Sequence, residues 1–350
     1  MRTFLIFLFA AFLYGCDSND TAEGVSSPEV VAENVVEETA SKVTVYSSRA
    51  EHLIKPLFDQ YTAETGVEIQ YITDNEAALI TRLNAEGERT PADMFITVDA
   101  GNLWYASSLG LMRPINSEVL KNNVPENLKA ADNTWFSLSI RARTLVYSTE
   151  RVSEDALSSY EALADENWEG RVCLRTSKKV YNQSLVASMI SEYGEEKTEE
   201  VVSGWVKNLA VDPTSNDTKA LEAVAAGVCD VALVNTYYFG RLQAENPDLP
   251  LKIFWANQDD RGVHINVSGA GVTQHAKNPE GAQKLLEWLS GETAQTQFAG
   301  LNREFPVNSA VAAVPQVAAW GDFVADDIAV EKLGQLQQQA VKLMDRAGYK

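Results

Sequence analysis

Two long extended runs interrupt an otherwise regular alternation of short strands and helices. They constrain the fold of this chain more than any other feature. Residues 135–148 read WFSLSIRARTLVYS and residues 263–272 read VHINVSGAGV. Ahead of the first run, Lys42 to Arg49 is a short alternating strand. A helix over Glu51 to Thr65 follows, with Leu53, Ile54, Leu57, Phe58 and Tyr61 on one face and Gly66 as its stop. Strand 67–72, helix 77–86, strand 91–99 and helix 102–109 repeat the pattern. After residue 148 it restarts, with strands at 171–176, 229–235 and 253–255 and helices at 182–193, 199–209 and 219–226. Helices at 279–289 and 292–298 and a long amphipathic one over Asp327 to Ala347 complete it. Such alternation predicts an α/β chain with a mostly parallel, doubly wound sheet. The extended runs predict a chain that crosses from one lobe to another and back. Lobe 1 is expected from residues 43–138 and 262–305, and lobe 2 from 139–261 and 306–350. A cleft between two such lobes is where small ligands bind.

The first 41 residues do not belong to that pattern. Arg2 and the ten apolar residues Phe4 to Leu13 read as a targeting signal, too short to span a bilayer comfortably. Leu13-Tyr14-Gly15-Cys16 resembles the lipobox of bacterial lipoproteins, in which cleavage exposes the cysteine for lipidation; the alternative is an ordinary secretory signal. Residues 17–42 are expected to form a solvated, acidic tether. Residues 17–41 hold seven acids and no Lys or Arg.

Net charge adds an exclusion. At −20 the chain lacks the basic face that nucleic-acid phosphates require. With Cys16 set aside, Cys173 and Cys229 remain, each in an expected strand of lobe 2. An exported chain oxidises such a pair, or else buries two free thiols.

The chemistry is concentrated at two strand ends. Residues 231–234 are an apolar run that ends in Asn235-Thr236-Tyr237-Tyr238. In an open α/β sheet, side chains at the carboxyl end of a strand meet a crevice. Residues 173–182 repeat the arrangement: a strand, a polar turn, and Tyr181 at a helix start. Phenols are hard oxygen donors suited to hard metals. A trivalent cation expels the phenol proton, and phenolate ligation of iron is established chemistry. Three phenolates neutralise a ferric ion and leave coordination positions open. Arg49 ends the first strand, and Arg141 and Arg143 share one side of the first extended run. A guanidinium there can hold a small planar oxyanion such as carbonate. The competing readings are packing tyrosines and interlobe ion pairs.

His52, His264 and His275 are not at zinc-ligand spacing. His52 is read as a helix-face residue and His275 as a loop residue. No phosphate loop, nucleophile elbow or metalloprotease motif occurs, and no acid–base arrangement supports an enzyme.

With these residues in place, the chain resembles the ferric-ion-binding substrate-binding proteins of bacterial iron ABC transporters. The likeness runs through VYSSR (45–49), TPADMFITVDAGNLW (90–104), WFSLSIRARTLVYS (135–148), KVYNQSL (179–185), NTYYFGR (235–241), NVSGAGV (266–272), SGETAQ (290–295) and NREFPVN (302–308). It implies a type II periplasmic-binding-protein fold. It also implies Tyr181, Tyr237 and Tyr238 as ligands of Fe3+, and Arg49 and Arg141 as holders of a carbonate or bicarbonate anion. Some branches place His, or His-Tyr, directly after the position of Arg49. This chain has Ala50 and Glu51, which disfavours a histidine ligand. Cys173 and Cys229 match a disulfide found in part of the family.

The resemblance further implies an inner-membrane ABC permease as partner and a periplasmic location. The chain is expected to be a monomer that meets the membrane only through a lipid anchor at Cys16. The other function that fits this fold is binding of an organic solute or oxyanion.

Overall fold

The computed structural model describes residues 42–350. The signal, Cys16 and the tether lie outside the described residues, except for Lys42. Nine strands follow in order: β1 (Lys42–Ser47), β2 (Glu68–Thr73), β3 (Met94–Val98), β4 (Phe136–Ser148), β5 (Val172–Cys173), β6 (Val231–Asn235), β7 (Leu251–Phe254), β8 (Ile265–Val272) and β9 (Phe305–Pro306). The main path of the sheet is β2-β1-β3-β8-β4-β6-β5, with β7 and β9 also on β4.

The first expected crossing is β4. Its first half, Phe136 to Ala142, pairs with β8, and its second half, Arg143 to Ser148, pairs with β6 and β7. One continuous strand thus serves both halves of the sheet. The return crossing is narrower than expected. β8 pairs only with β3 and the first half of β4, so the chain changes halves just before it, at Val263 and His264. The Arg143 N–H donates to the His264 carbonyl at 3.0 Å. Tyr160 pins the same point: its hydroxyl donates to the Arg143 carbonyl at 2.5 Å and accepts from the His264 N–H at 3.0 Å.

The expectation of a mostly parallel sheet is corrected. β1 is parallel to β2 and β3, and β5 to β6, but all five pairings that involve β4 or β8 are antiparallel. A strand that enters one half and leaves from the other must run against its neighbours there, and alternation of elements does not reveal this. The C-terminal helix is also shorter and broken, into Glu331–Gln335 and Gln337–Arg346. The expected strand at 171–176 contracts to two residues, Val172 and Cys173, and Arg175 beyond it bridges to Thr214.

Elsewhere local chemistry dictates the elements. The helix Glu51–Thr65 buries Leu53, Ile54, Leu57, Phe58 and Tyr61 and ends at Gly66, whose φ of 73° suits a residue without Cβ. The largest core cluster runs through both halves of the sheet, and a smaller one surrounds Cys173, Cys229, Leu221 and Val234.

Cys173 and Cys229 form a disulfide across 56 residues of chain, which settles their state against two free thiols. Closing a loop of that length stabilises a protein by about 4 kcal/mol in the chain-entropy treatment. Replacing both cysteines by serine should therefore lower the unfolding free energy by roughly that amount, as read from denaturant curves with and without reductant. Unchanged curves would show that the bridge constrains nothing.

Candidate metal centre

Both tyrosine segments deliver their rings to one place. β6 ends at Asn235 and the helix Thr236–Glu245 starts at once, so Tyr237 and Tyr238 occupy its first turn. Their ring centroids are 4.4 Å apart. Tyr181 lies in the first turn of the helix Val180–Tyr193. All three line a cavity of about 190 Å³, together with Arg49, Arg141, Lys179, Arg241, Glu76 and Glu304. Four cations against two carboxylates make it a positive cavity, suited to phenolates and anions.

The corner that carries the tyrosine pair is held from behind by Asp217, a fully buried carboxylate. It accepts from the Asn235 N–H at 3.0 Å and from Arg143 Nη1 at 3.0 Å. Arg141 and Arg143, two residues apart on β4, therefore do different work. Arg143 braces this corner, while Arg141 lines the cavity. A register irregularity between Ser137 and Ser139, of the kind that re-aims side chains near sites, lies just upstream.

Burial acts on the phenols and the cations oppose it. Burial pushes the Tyr237 phenol well above its ordinary range; Tyr181 and Tyr238 add to the rise, and Arg141 works against it. Burial also raises Tyr181, with Arg141 the strongest opposing influence. Burial disfavours the charge of Arg141, but Tyr181, Asp99, Tyr237 and Glu304 together carry it above its usual value.

The two anion-candidate arginines are differently committed. Arg49 donates to Ser268 Oγ at 3.1 Å, the Phe298 carbonyl at 3.3 Å and Glu304 Oε2 at 3.1 Å, and it stacks on the Phe298 ring. Burial would raise the Glu304 carboxyl, yet Arg49 and then Arg141 hold it below the usual carboxylate range. Arg141 is only 1 % exposed. It donates Nη1 to Ser268 Oγ at 3.1 Å and leaves Nε and Nη2 without a hydrogen-bond partner, with Nη2 3.9 Å from the Asp99 carboxylate. Two buried, unsatisfied donors on one planar group form a fork for an oxyanion.

Several residues around the site were not singled out from the sequence. Arg175 Nη1 donates to the Tyr238 hydroxyl at 3.2 Å. Arg241 lies 5.1 Å from the Tyr237 ring centroid and donates to Asn302 Oδ1. Lys179 faces Glu76 across 3.5 Å. Asp99, at a φ of 79°, accepts from Gly101, Ser184 and Asn266 and so ties β3 and β8 to the helix of Tyr181. A non-glycine residue at positive φ is a strained position that persists where the surroundings over-determine it. The only sequence signal for Arg175 and Arg241 was proximity to the tyrosines along the chain. No histidine lines the cavity: His52 and His275 are exposed and His264 is buried at the crossing. Among the described residues, no group of three His, Cys, Asp or Glu side chains is arranged to hold a metal.

The chain belongs to the family of bacterial extracellular solute-binding proteins, whose model matches residues 56–325. It is 42% identical to iron uptake protein A1 of Synechocystis over 315 residues, which is 88% of each protein. It is 25% identical to the major ferric iron-binding protein of Neisseria meningitidis, over 88% of this chain and 93% of that protein. Among solved structures, a Trichodesmium protein (IdiA, FutA) in complex with iron and citrate superposes with a TM-score of 0.85 at 40% identity. The match covers 89% of this chain and all of that one. Iron-bound HitA from Pseudomonas aeruginosa gives 0.77 at 26% identity, over 88% of this chain and 99% of that one. The fold is the two-lobed type II periplasmic-binding fold of these proteins.

The raised phenols have a consequence for stability. The unfolded chain gives up tyrosine protons near pH 10, before the folded protein releases those of Tyr181 and Tyr237. Their contribution to stability is complete below that pH and is lost as pH rises through the folded values. Unfolding free energy should therefore fall as pH rises above about 10, with a smaller slope in Tyr237→Phe. Equal slopes for the two proteins would contradict the burial argument.

Proposed function

We propose that this chain is an extracytoplasmic binding protein that takes up Fe3+ and delivers it to an inner-membrane ABC permease. It is a carrier and not an enzyme. The observation that carries this proposal is the meeting of Tyr181, Tyr237 and Tyr238 in one cation-lined cavity. Their three phenolates balance the charge of a ferric ion. Nε and Nη2 of Arg141, which lack a hydrogen-bond partner although Asp99 lies 3.9 Å from Nη2, meet the remaining requirement, a small anion of the carbonate type. Arg49 supports that anion less directly, because Glu304 already engages its guanidinium. The iron relatives and the iron-bound neighbours described above support the same assignment.

Lobe 1 is assigned to residues 43–138 and 262–305, and lobe 2 to residues 139–261 and 306–350. On that division the Lys179–Glu76 ion pair joins the two lobes at the cavity, and Ser184 to Asp99 joins them beneath it. Iron leaves when the lobes part or when protons reclaim the phenolates. Residues 1–16 act as a lipoprotein-type signal, Cys16 carries the lipid on the inner membrane, and the protein works as a monomer on its acidic tether.

Adding a soluble ferric chelate and bicarbonate to the purified protein should produce a visible phenolate-to-iron charge-transfer band. Tyr181→Phe and Tyr238→Phe should each weaken or abolish it, and Arg141→Ala should remove its dependence on bicarbonate. A protein that stays colourless would overturn the proposal and leave the alternative, an oxyanion or organic solute held by the same cations.

A further inference from the structure

Arg175 stands behind the tyrosines, outside the group of residues that line the cavity. Its guanidinium is about nine-tenths buried and touches both tyrosine segments, with its carbon 5.3 Å from the Tyr181 ring centroid and 5.9 Å from that of Tyr238. Nη1 donates to the Tyr238 hydroxyl at 3.2 Å and lies 3.8 Å from Asp217 Oδ1. The backbone of the same residue is fixed from two sides. The Tyr349 hydroxyl donates to the Arg175 carbonyl at 2.5 Å, and so does Asn182 Nδ2 at 2.9 Å. The Ser177 N–H donates to the Lys350 carbonyl at 2.9 Å. The C-terminus of the chain thus braces the turn that holds this arginine.

We infer that Arg175 is a positioning residue for bound iron, fixing the Tyr238 oxygen and withdrawing electron density from it through a charge-assisted hydrogen bond. This rests on the ferric proposal above. A phenolate oxygen has lone pairs for both a metal and a donor. The 3.2 Å hydrogen bond from Arg175 sets where the Tyr238 oxygen points before the metal arrives, and a guanidinium bond to that oxygen strengthens once it becomes the anionic ligand. Asp217 offsets the cost of placing this cation near a ferric ion, and it links Arg175 to Arg143 and to the Asn235 corner. One terminal nitrogen, Nη1, serves both Tyr238 and Asp217, while the planar guanidinium also lies over the Tyr181 and Tyr238 rings; a lysine ammonium keeps the charge but not the planar face.

The test is the position of the charge-transfer band in the ferric-loaded full chain. A phenolate that loses a cationic donor becomes richer in electrons and gives them up to iron at lower energy. Arg175→Gln should therefore move the band to longer wavelength, and Arg175→Lys should move it part of the way. A purely structural role would lower the melting temperature without an ordered shift of this kind. Iron-loaded variants with the band at the wild-type wavelength would overturn the role of Arg175. If Arg175→Gln does not fold, the lysine variant alone decides the matter. A wild-type protein with no band at all would overturn the ferric proposal and this inference with it, so the two failures are distinct.

Discussion

A buried phenol beside a buried guanidinium is under two opposed influences, and the rest of this structure depends on that opposition. Removal from water holds the protons on Tyr181 and Tyr237, while Arg141 favours their loss. The tyrosines stay neutral until a cation with greater charge density arrives. A metal that demands hard anionic oxygen can then expel the protons. A weaker cation competes poorly against both the protons and four neighbouring cationic side chains. On the ferric proposal, the cavity discriminates by charge as well as by donor type.

The fold supplies the opposition by routing one strand through both halves of the sheet. Arg141 and Arg143 are neighbours on the same face of β4, yet one reaches the cavity and the other the Asp217 corner. The backbone that carries them is pinned to the return crossing by Tyr160 at Arg143 and His264. On the lobe division proposed above, movement at that point would change the distance between the tyrosine pair and the groups contributed by β1 and its neighbours. A two-lobed binding protein needs such coupling to hold its cargo when closed and let it go when open.

Much of this was legible in the amino-acid order. Helix 51–65 is bounded as its apolar spacing and Gly66 require. The tyrosines stand at helix starts because short apolar runs and polar turns precede them. Cys173 and Cys229 were both expected in strands; Cys173 lies in β5, Cys229 lies two residues ahead of β6, and the two pair. What was not legible depends on contacts distant in sequence. Strand direction follows from where a crossing enters and leaves, so the antiparallel share of the sheet was missed. Arg175 sits in a run of polar residues whose fork reads as solvated until Asp217, 42 positions later, is seen to cover it. The long C-terminal helix is broken at Leu336 although its apolar periodicity continues through the break.

The central claim is that one ferric ion is held by oxygen atoms from two separate segments. Anomalous diffraction at the iron edge from crystals of the ferric-loaded protein tests it most directly. The account predicts a single strong peak within bonding distance of the hydroxyl oxygens of Tyr181, Tyr237 and Tyr238, on the side of the cavity that Arg141 faces. A peak bonded to none of these oxygens, or iron scattered over surface carboxylates, would contradict it.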